Sequence, residues 1–306
     1  MPRGRVAARS SSRGMAGVRD RLTARQRDCA TASVYDTLGM NPALTDTRRG
    51  PGTRGRRTKG RHEGHGDVPV ALRAITFDVY SALYDTVSGL QQALGALMQT
   101  RGTGGDPAAL ARAWRQRHME YLLIANSLDR EPARNRTALE ASARHVLAAL
   151  RPPLSRDEIS YLIDAWETLP PWPETLGVLT QIRRLPVILG TLSNGDADML
   201  EALLGRLPVA FDRVISTEGG KFKPHPSVYA KALLALGVDR DDLLHIAGSA
   251  TDAAGATAFH IRTVWVNRSG GAVFDPRFAP AYELPDLTGL SGILAKSKWG
   301  LSPNEK

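Results

Sequence analysis

The chain has 306 residues, 42% of them hydrophobic, one cysteine (Cys29) and a formal net charge of +9. That is enough length and apolar content for one medium domain or two small ones with a proper core. It excludes an internal disulfide framework and suits a reducing, cytoplasmic compartment, and no run of about 18 apolar residues is present to span a membrane.

The charge excess is confined to the start of the chain. Residues 1–67 carry 15 Lys and Arg against 6 Asp and Glu, leaving 25 of each for residues 68–306. MPRGRVAARSSSRG and RRGPGTRGRRTKGRHEGHG are rich in Arg, Gly, Ser and Thr and show no apolar period. Such a stretch buries too little surface to offset its ordering entropy, so residues 1–67 read as a disordered basic extension. It lacks the apolar core of a secretory signal. A basic arm of this kind is compatible with organelle transit or nucleic-acid contact. The balanced charge of the remainder argues against nucleic acid, and the extension reads as having no catalytic part.

From Val68 the texture changes. VPVALRAITFDVY has the continuous β-branched, apolar character of a strand buried on both faces. Helical patterns follow: LQQALGALMQT, then PAALARAWRQRHMEYLLIANSL, where Leu110, Trp114, Tyr121 and Ala125 fall on one stripe. ALEASARHVLAAL and SRDEISYLIDAWETL are further helices, the second opening on a Ser155/Glu158 capping box. PPWPETLG, from Pro170, breaks this block.

Strands and helices then alternate. LPVILGTLSN and FDRVIST read as strands, HPSVYAKALLALG as a helix closed by Gly237, DLLHIAG as a strand, TDAAGATAFH as a helix and IRTVWVN as a last strand. This alternation implies parallel βαβ units. The expected fold is α/β, a doubly wound parallel sheet of Rossmann-like type interrupted by an α-helical insert. The expected divisions are core at 68–89, insert at 90–174, core again at 175–296 and a tail at 297–306.

Ligands of open parallel sheets bind at the carboxyl ends of the strands. Asp78, Ser193, the Lys221/Lys223 region, and Ser249 with Asp252 fall at successive ends. One aspartate after a strand is ordinarily a turn or cap residue. Asp, Ser, Lys and Asp in chain order point instead to a shared site.

These segments resemble the haloacid dehalogenase superfamily. DVYSAL (78–83), LSNG with Ser193, KPHPSVY with Lys223 and GSATD with Asp252 match its four motifs in order. The resemblance spans roughly residues 70–290 and makes the helical insert a mobile cap. Within the superfamily the chain is most similar to the L-2-haloacid dehalogenase branch. Tyr80 stands where phosphatases carry a second Asp, Lys223 and Tyr229 keep the branch's spacing of six, and WRQRHMEY is similar to its Trp-Arg-x-(Lys or Arg)-x-x-Glu-Tyr segment. WVNRSG also looks like that branch.

The resemblance implies a hydrolase that removes halide from short (S)-2-haloacids, without metal or other cofactor, through an aspartyl ester. Asp78 would be the nucleophile, with Lys223 keeping it ionised. Asp252 would orient Lys223 and the hydrolytic water, and Arg115 would receive the halide. Ser193 and the Asn194 amide would hold the substrate carboxylate, with Tyr80, Tyr229 and Ser249 as further substrate contacts. A homodimer is compatible with it. The replaced acid at Tyr80 suits a leaving group that needs no proton, and Ser249 stands where a phosphatase has a magnesium-binding acid.

Other readings stand beside these. Arg115, between Gln116 and Arg117, reads locally as part of a solvated helix face, and Trp114, Tyr121 and Tyr229 as packing residues. The branch has Gly-Thr at Ser81-Ala82, where Ser81 is the available substitute for the lost hydroxyl, and serine and asparagine at Ala247 and Ser249. Those departures leave a hydrolase of another small carboxylic acid as one alternative, and a magnesium phosphatase of the same fold is the other.

Overall fold

The computed structural model describes residues 72–129 and 134–296. The predicted extension at 1–67 and tail at 297–306 lie outside the described residues.

A six-stranded sheet organises them, in the order β3-β2-β1-β4-β5-β6, with every pairing parallel. The strands are β1 Ala74–Phe77, β2 Ile188–Ser193, β3 Arg213–Ser216, β4 Leu243–Ala247, β5 Arg262–Val266 and β6 Tyr282–Leu284. β1 and β4 are buried at every position and carry no polar–apolar alternation, as expected where helices cover both faces. β1 is shorter than the apolar run that announces it, because only four residues pair with β2 and β4. The winding reverses between β1 and β4, and this switch point opens a crevice at the strand ends.

Between β1 and β2 lies a helical layer: α1 Thr86–Arg101, α2 Pro107–Leu128, α3 Asn135–Val146 and α4 Arg156–Asp164. Asp85 and Asp106 cap α1 and α2, and the Ser155/Glu158 capping box opens α4. α1 begins at Thr86 and so runs across position 90, where the sequence places the start of the insert. Trp114 and Trp166 are fully buried between these helices, edge to face with centroids 5.8 Å apart.

Past β2 come α6 Ala197–Leu204, α7 Pro226–Leu236 and α8 Ala250–Ala258, with α5 Thr175–Ile182 ahead of β2. α5 starts inside the PPWPETLG segment, whose prolines end one helical block and lead directly into the next. α7 ends where Gly237 takes φ 64°, the left-handed conformation glycine adopts without a Cβ penalty.

Candidate active site

Asp78 follows β1 directly, its amide still bonded to Ile246 O of β4 at 2.9 Å. The chain then winds into a π-helical turn, Val79–Leu83, and the amide of Ser81 donates to Asp78 Oδ2 at 3.2 Å. Such wide turns recur where a side chain must be aimed. This one is braced from outside. Trp172 Nε1 donates to Ser81 O at 3.1 Å, and Arg268 Nη2 donates to Ala82 O at 3.1 Å while pairing with Glu174 at 2.7 Å and lying over the Trp172 ring. Gly248 lets β4's end pass against the turn, because a Cβ there would meet the Ala82 amide.

Lys223 reaches the same point from beyond β3, and the Lys223–Pro224 bond that follows it is cis. Its Nζ donates to Asp78 Oδ1, Asp252 Oδ2 and Leu192 O, each at 2.8 Å. All three ammonium protons are committed. The side chains of Asp78, Lys223 and Asp252 are nearly inaccessible. Burial pushes the Lys223 pKa down, but Asp252 and Asp78 outweigh it and leave the ammonium above its ordinary value. Burial likewise raises Asp252, and Lys223 and His245 overcome this, holding the carboxyl well below the usual range.

Asp252 sits in the first turn of α8, and its amide donates to the capping Ser249 Oγ at 3.3 Å. Its carboxylate is engaged on both oxygens. Tyr229 OH donates to Oδ1 at 2.9 Å, and His245 Nε2 donates to Oδ2 at 3.1 Å. Thr76 bonds the other ring nitrogen of His245 at 2.9 Å.

Across the cavity stands α2. Arg115 donates from Nη2 to Ser81 Oγ at 3.0 Å and from Nη1 to His118 Nδ1 at 3.1 Å. Burial lowers its pKa from the guanidinium value, with the Asp78 charge acting in the opposite direction. Met119 and Leu122 add apolar wall from the same helix face, and Thr251 closes the far side beside Ser249. The enclosed space is narrow, about 20 Å³, roughly the room of one water.

The structure brings most predicted site residues together. Asp78, Tyr80, Arg115, Asn194, Lys223, Ser249 and Asp252 all face this cavity. Arg115 is drawn inward rather than left on a solvated face. Two residues are placed elsewhere. Ser193 is fully buried and its Oγ accepts from Gly195 N at 3.4 Å. Tyr229 lies behind Asp252, bonded to it, and does not reach the cavity wall. Asn194 spends its Oδ1 on the Lys223 amide at 2.8 Å. Ser81 holds Asp78 by its main chain, while its hydroxyl serves Arg115 instead of replacing the lost threonine. Tyr80 packs edge-on to Trp166 with centroids 5.2 Å apart, and burial, then Asp196 and Glu167, keep its phenol protonated. Sequence reasoning missed His118, His245, Asn135 and Asp196, whose partners all lie on other elements or other turns.

No group of three or more His, Cys, Asp or Glu is arranged for a metal among the described residues. None of the described helices is long and apolar enough to cross a membrane. A larger open groove beside α6, lined by Leu204, Pro208, Phe211 and Val214, has Glu201 as its one ionisable side chain.

A family of haloacid dehalogenase-like hydrolases matches residues 72–260. An (S)-2-haloacid dehalogenase of Pseudomonas putida is 32% identical over 232 residues, which is 73% of this chain and 98% of the relative. Another, from Pseudomonas sp. strain YL, is 31% identical over 71% of this chain and 91% of its own length. A crystal structure of an L-2-haloacid dehalogenase superposes with a TM-score of 0.68 at 29% identity, over 74% of this chain and all of that one. The Xanthobacter autotrophicus L-2-haloacid dehalogenase with covalently bound chloropropionic acid gives 0.64 at 25% identity, over 74% and 99% of the two chains.

Proposed function

The chain belongs to the haloacid dehalogenase-like hydrolases, and from that premise we propose that it is an (S)-2-haloacid dehalogenase. It would hydrolyse short 2-haloalkanoic acids to 2-hydroxy acids through an ester on Asp78. The observation that carries this reading is the Lys223 ammonium bonded to both Asp78 and Asp252, with the Arg115 guanidinium facing Asp78 across a closed cavity.

The Asp78 carboxylate is bonded by Lys223 and by the Ser81 amide, which hold its orientation. It attacks the halogen-bearing carbon from the side opposite the halogen, forming a C–O bond as the carbon–halogen bond breaks. The halide departs with the bonding pair toward Arg115, whose fixed positive charge favours that developing anion in a water-poor site. Backside attack inverts the carbon. Water then adds at the Asp78 carbonyl and releases the hydroxy acid. Asp252, both of whose oxygens are already bonded, serves that step by holding the Lys223 ammonium beside the Asp78 carbonyl.

The narrow space favours small acids. The helical layer that carries Arg115, Met119 and Leu122 over this space supports a cap formed by residues 90–174 over a core of 68–89 and 175–296. Exposed Ile124 and Leu128 late in α2 support self-association into a homodimer, and the single cysteine supports a cytoplasmic setting.

The test is halide release from each enantiomer of 2-chloropropionate, with and without EDTA. Release from the S enantiomer alone, indifferent to EDTA and abolished in Asp78→Asn, is expected. EDTA-sensitive release of phosphate from a phosphomonoester, with no halide release, would overturn the reading.

A further inference from the structure

We propose that His118 is a positioning residue that fixes the Arg115 guanidinium across the cavity from Asp78. This rests on the dehalogenase reading for its kinetic consequence, though not for its geometry.

A free arginine side chain samples many rotamers, and a halide acceptor that wanders is of little use. Arg115 is pinned at two points, Ser81 Oγ and His118 Nδ1. The hydrogen-bond chain behind it has one possible direction. Arginine only donates, so His118 Nδ1 must accept. The ring proton therefore sits on Nε2, which donates to Asn135 Oδ1 at 2.8 Å. That sets the Asn135 amide with its oxygen toward the ring. Asn135 in turn is fixed by its own backbone. Its amide N–H donates to Asp196 Oδ1 at 2.8 Å, and the Arg136 amide donates to Oδ2 at 3.1 Å.

Asp196 is fully buried beyond the end of β2, so a carboxylate of the sheet layer caps the first turn of α3. Asp196, Asn135, His118 and Arg115 thus connect the sheet layer to the guanidinium through the helical layer, and Arg115 closes the circuit on the nucleophile's own turn at Ser81. His118 is suited to this place. It is buried, and that burial together with the adjacent Arg115 pushes its pKa down to about 3, against the opposing Asn135 bond. Its acceptor lone pair persists throughout the ordinary pH range. A merely structural histidine would pack against Trp166, 5.2 Å away, without needing either nitrogen.

The test compares His118→Leu, which keeps volume and removes both bonds, with His118→Gln, which can accept from Arg115 and donate to Asn135. Crystal structures of both variants are expected to show Arg115 off Ser81 in the leucine variant and on it in the glutamine variant. In turnover of (S)-2-chloropropionate, His118→Leu should lose kcat by about tenfold to hundredfold with a much smaller change in KM. The loss should be greater for the chloro than the bromo acid, because chloride is the poorer leaving group. His118→Gln should recover most of it. Should the leucine variant not fold, Asn135→Ala removes only the acceptor that sets the ring's tautomer, and the same pattern is expected at smaller size. Arg115 unmoved in His118→Leu, or in Asn135→Ala in its place, overturns the proposal, as does a loss equal in both His118 variants and for both halogens. Wild-type enzyme that releases no halide would defeat the dehalogenase reading, while the crystallographic comparison would still decide the positioning role.

Discussion

The Nζ of Lys223 lies 2.8 Å from Oδ1 of Asp78, and the same ammonium lies 2.8 Å from Oδ2 of Asp252. One buried cation therefore holds two buried carboxylates together. Removing one member of such a group leaves uncompensated charge in a poorly solvated place.

Lys223→Met is accordingly expected to cost about 3–5 kcal/mol of stability and to abolish halide release. Lys223→Arg should not rescue it, because a planar guanidinium cannot send donors toward Asp78, Asp252 and Leu192 O in three directions. Denaturant unfolding and a halide assay on both variants check this.

The same group predicts how stability follows pH. Lys223 has a raised folded pKa, so its contribution is full below the unfolded value, about 10.4, and is lost as pH rises through the folded value. Asp252 has a depressed folded pKa, so its contribution is full above about 3.9, the unfolded value, and is lost as pH falls toward the folded one. Melting temperatures followed from pH 3 to 11 should fall at both ends in the wild type. In Lys223→Met the alkaline fall should weaken, since the group responsible is gone.

The close approach at Gly248 is also testable. A Cβ there would meet the Ala82 amide nitrogen and lie 2.6 Å from the Ser81 carbonyl carbon. Both obstacles are backbone, which yields less easily than a side-chain tip. Gly248→Ala should cost about 1–3 kcal/mol and displace the turn that aims Asp78, so that kcat falls by more than the loss of stability alone explains. Steady-state kinetics at a temperature where the variant remains folded separates the two effects.

What could be read from the sequence follows from how each residue acts. Asp78, Lys223 and Asp252 follow strand ends in a parallel sheet, and the doubly wound topology alone brings such ends together. Arg115 could not be placed by its neighbours, since Gln116 stays exposed one position away. The packing of α2 over the π-helical turn sends it inward. Tyr229 keeps a spacing of six from Lys223, but spacing does not say on which side of Asp252 the ring arrives. His118, His245 and Asp196 gave no local signal. Each is a lone polar residue whose meaning lies in a partner on another turn or element. α5 was hidden because the prolines just ahead of it, with its own Gly177, read as a break.

Asp196 supplies a prediction of its own. It accepts the first two amides of α3, and Arg134 adds a longer ion pair to the same carboxylate at 3.6 Å. Asp196→Ala strips a buried acceptor from a helix N-terminus that has no side-chain cap of its own. The expected cost is about 1–3 kcal/mol, read from the urea midpoint. Asp196→Asn, which can still accept one amide, should lose less.

The last prediction concerns where oxygen goes. If Asp78 attacks carbon, the oxygen that becomes the product hydroxyl is the one Asp78 used in the attack. Water adds afterwards at the Asp78 carbonyl, and its oxygen is left in the carboxylate. A single turnover in ¹⁸O-water, with enzyme in excess of (S)-2-chloropropionate, should therefore put label into the peptide containing Asp78 and none into the 2-hydroxypropionate. Over many turnovers the labelled carboxylate attacks in its turn, and label appears in the product. Had water, directed by Asp252, attacked the substrate carbon itself, product would carry the label from the first turnover and the Asp78 peptide would keep its mass. Tandem mass spectrometry of the peptide and of the product distinguishes the two courses. The geometry favours the first, because the Asp78 oxygens reach the cavity already oriented by Lys223 and Ser81 N, whereas both Asp252 oxygens are bonded to Tyr229, Lys223 and His245.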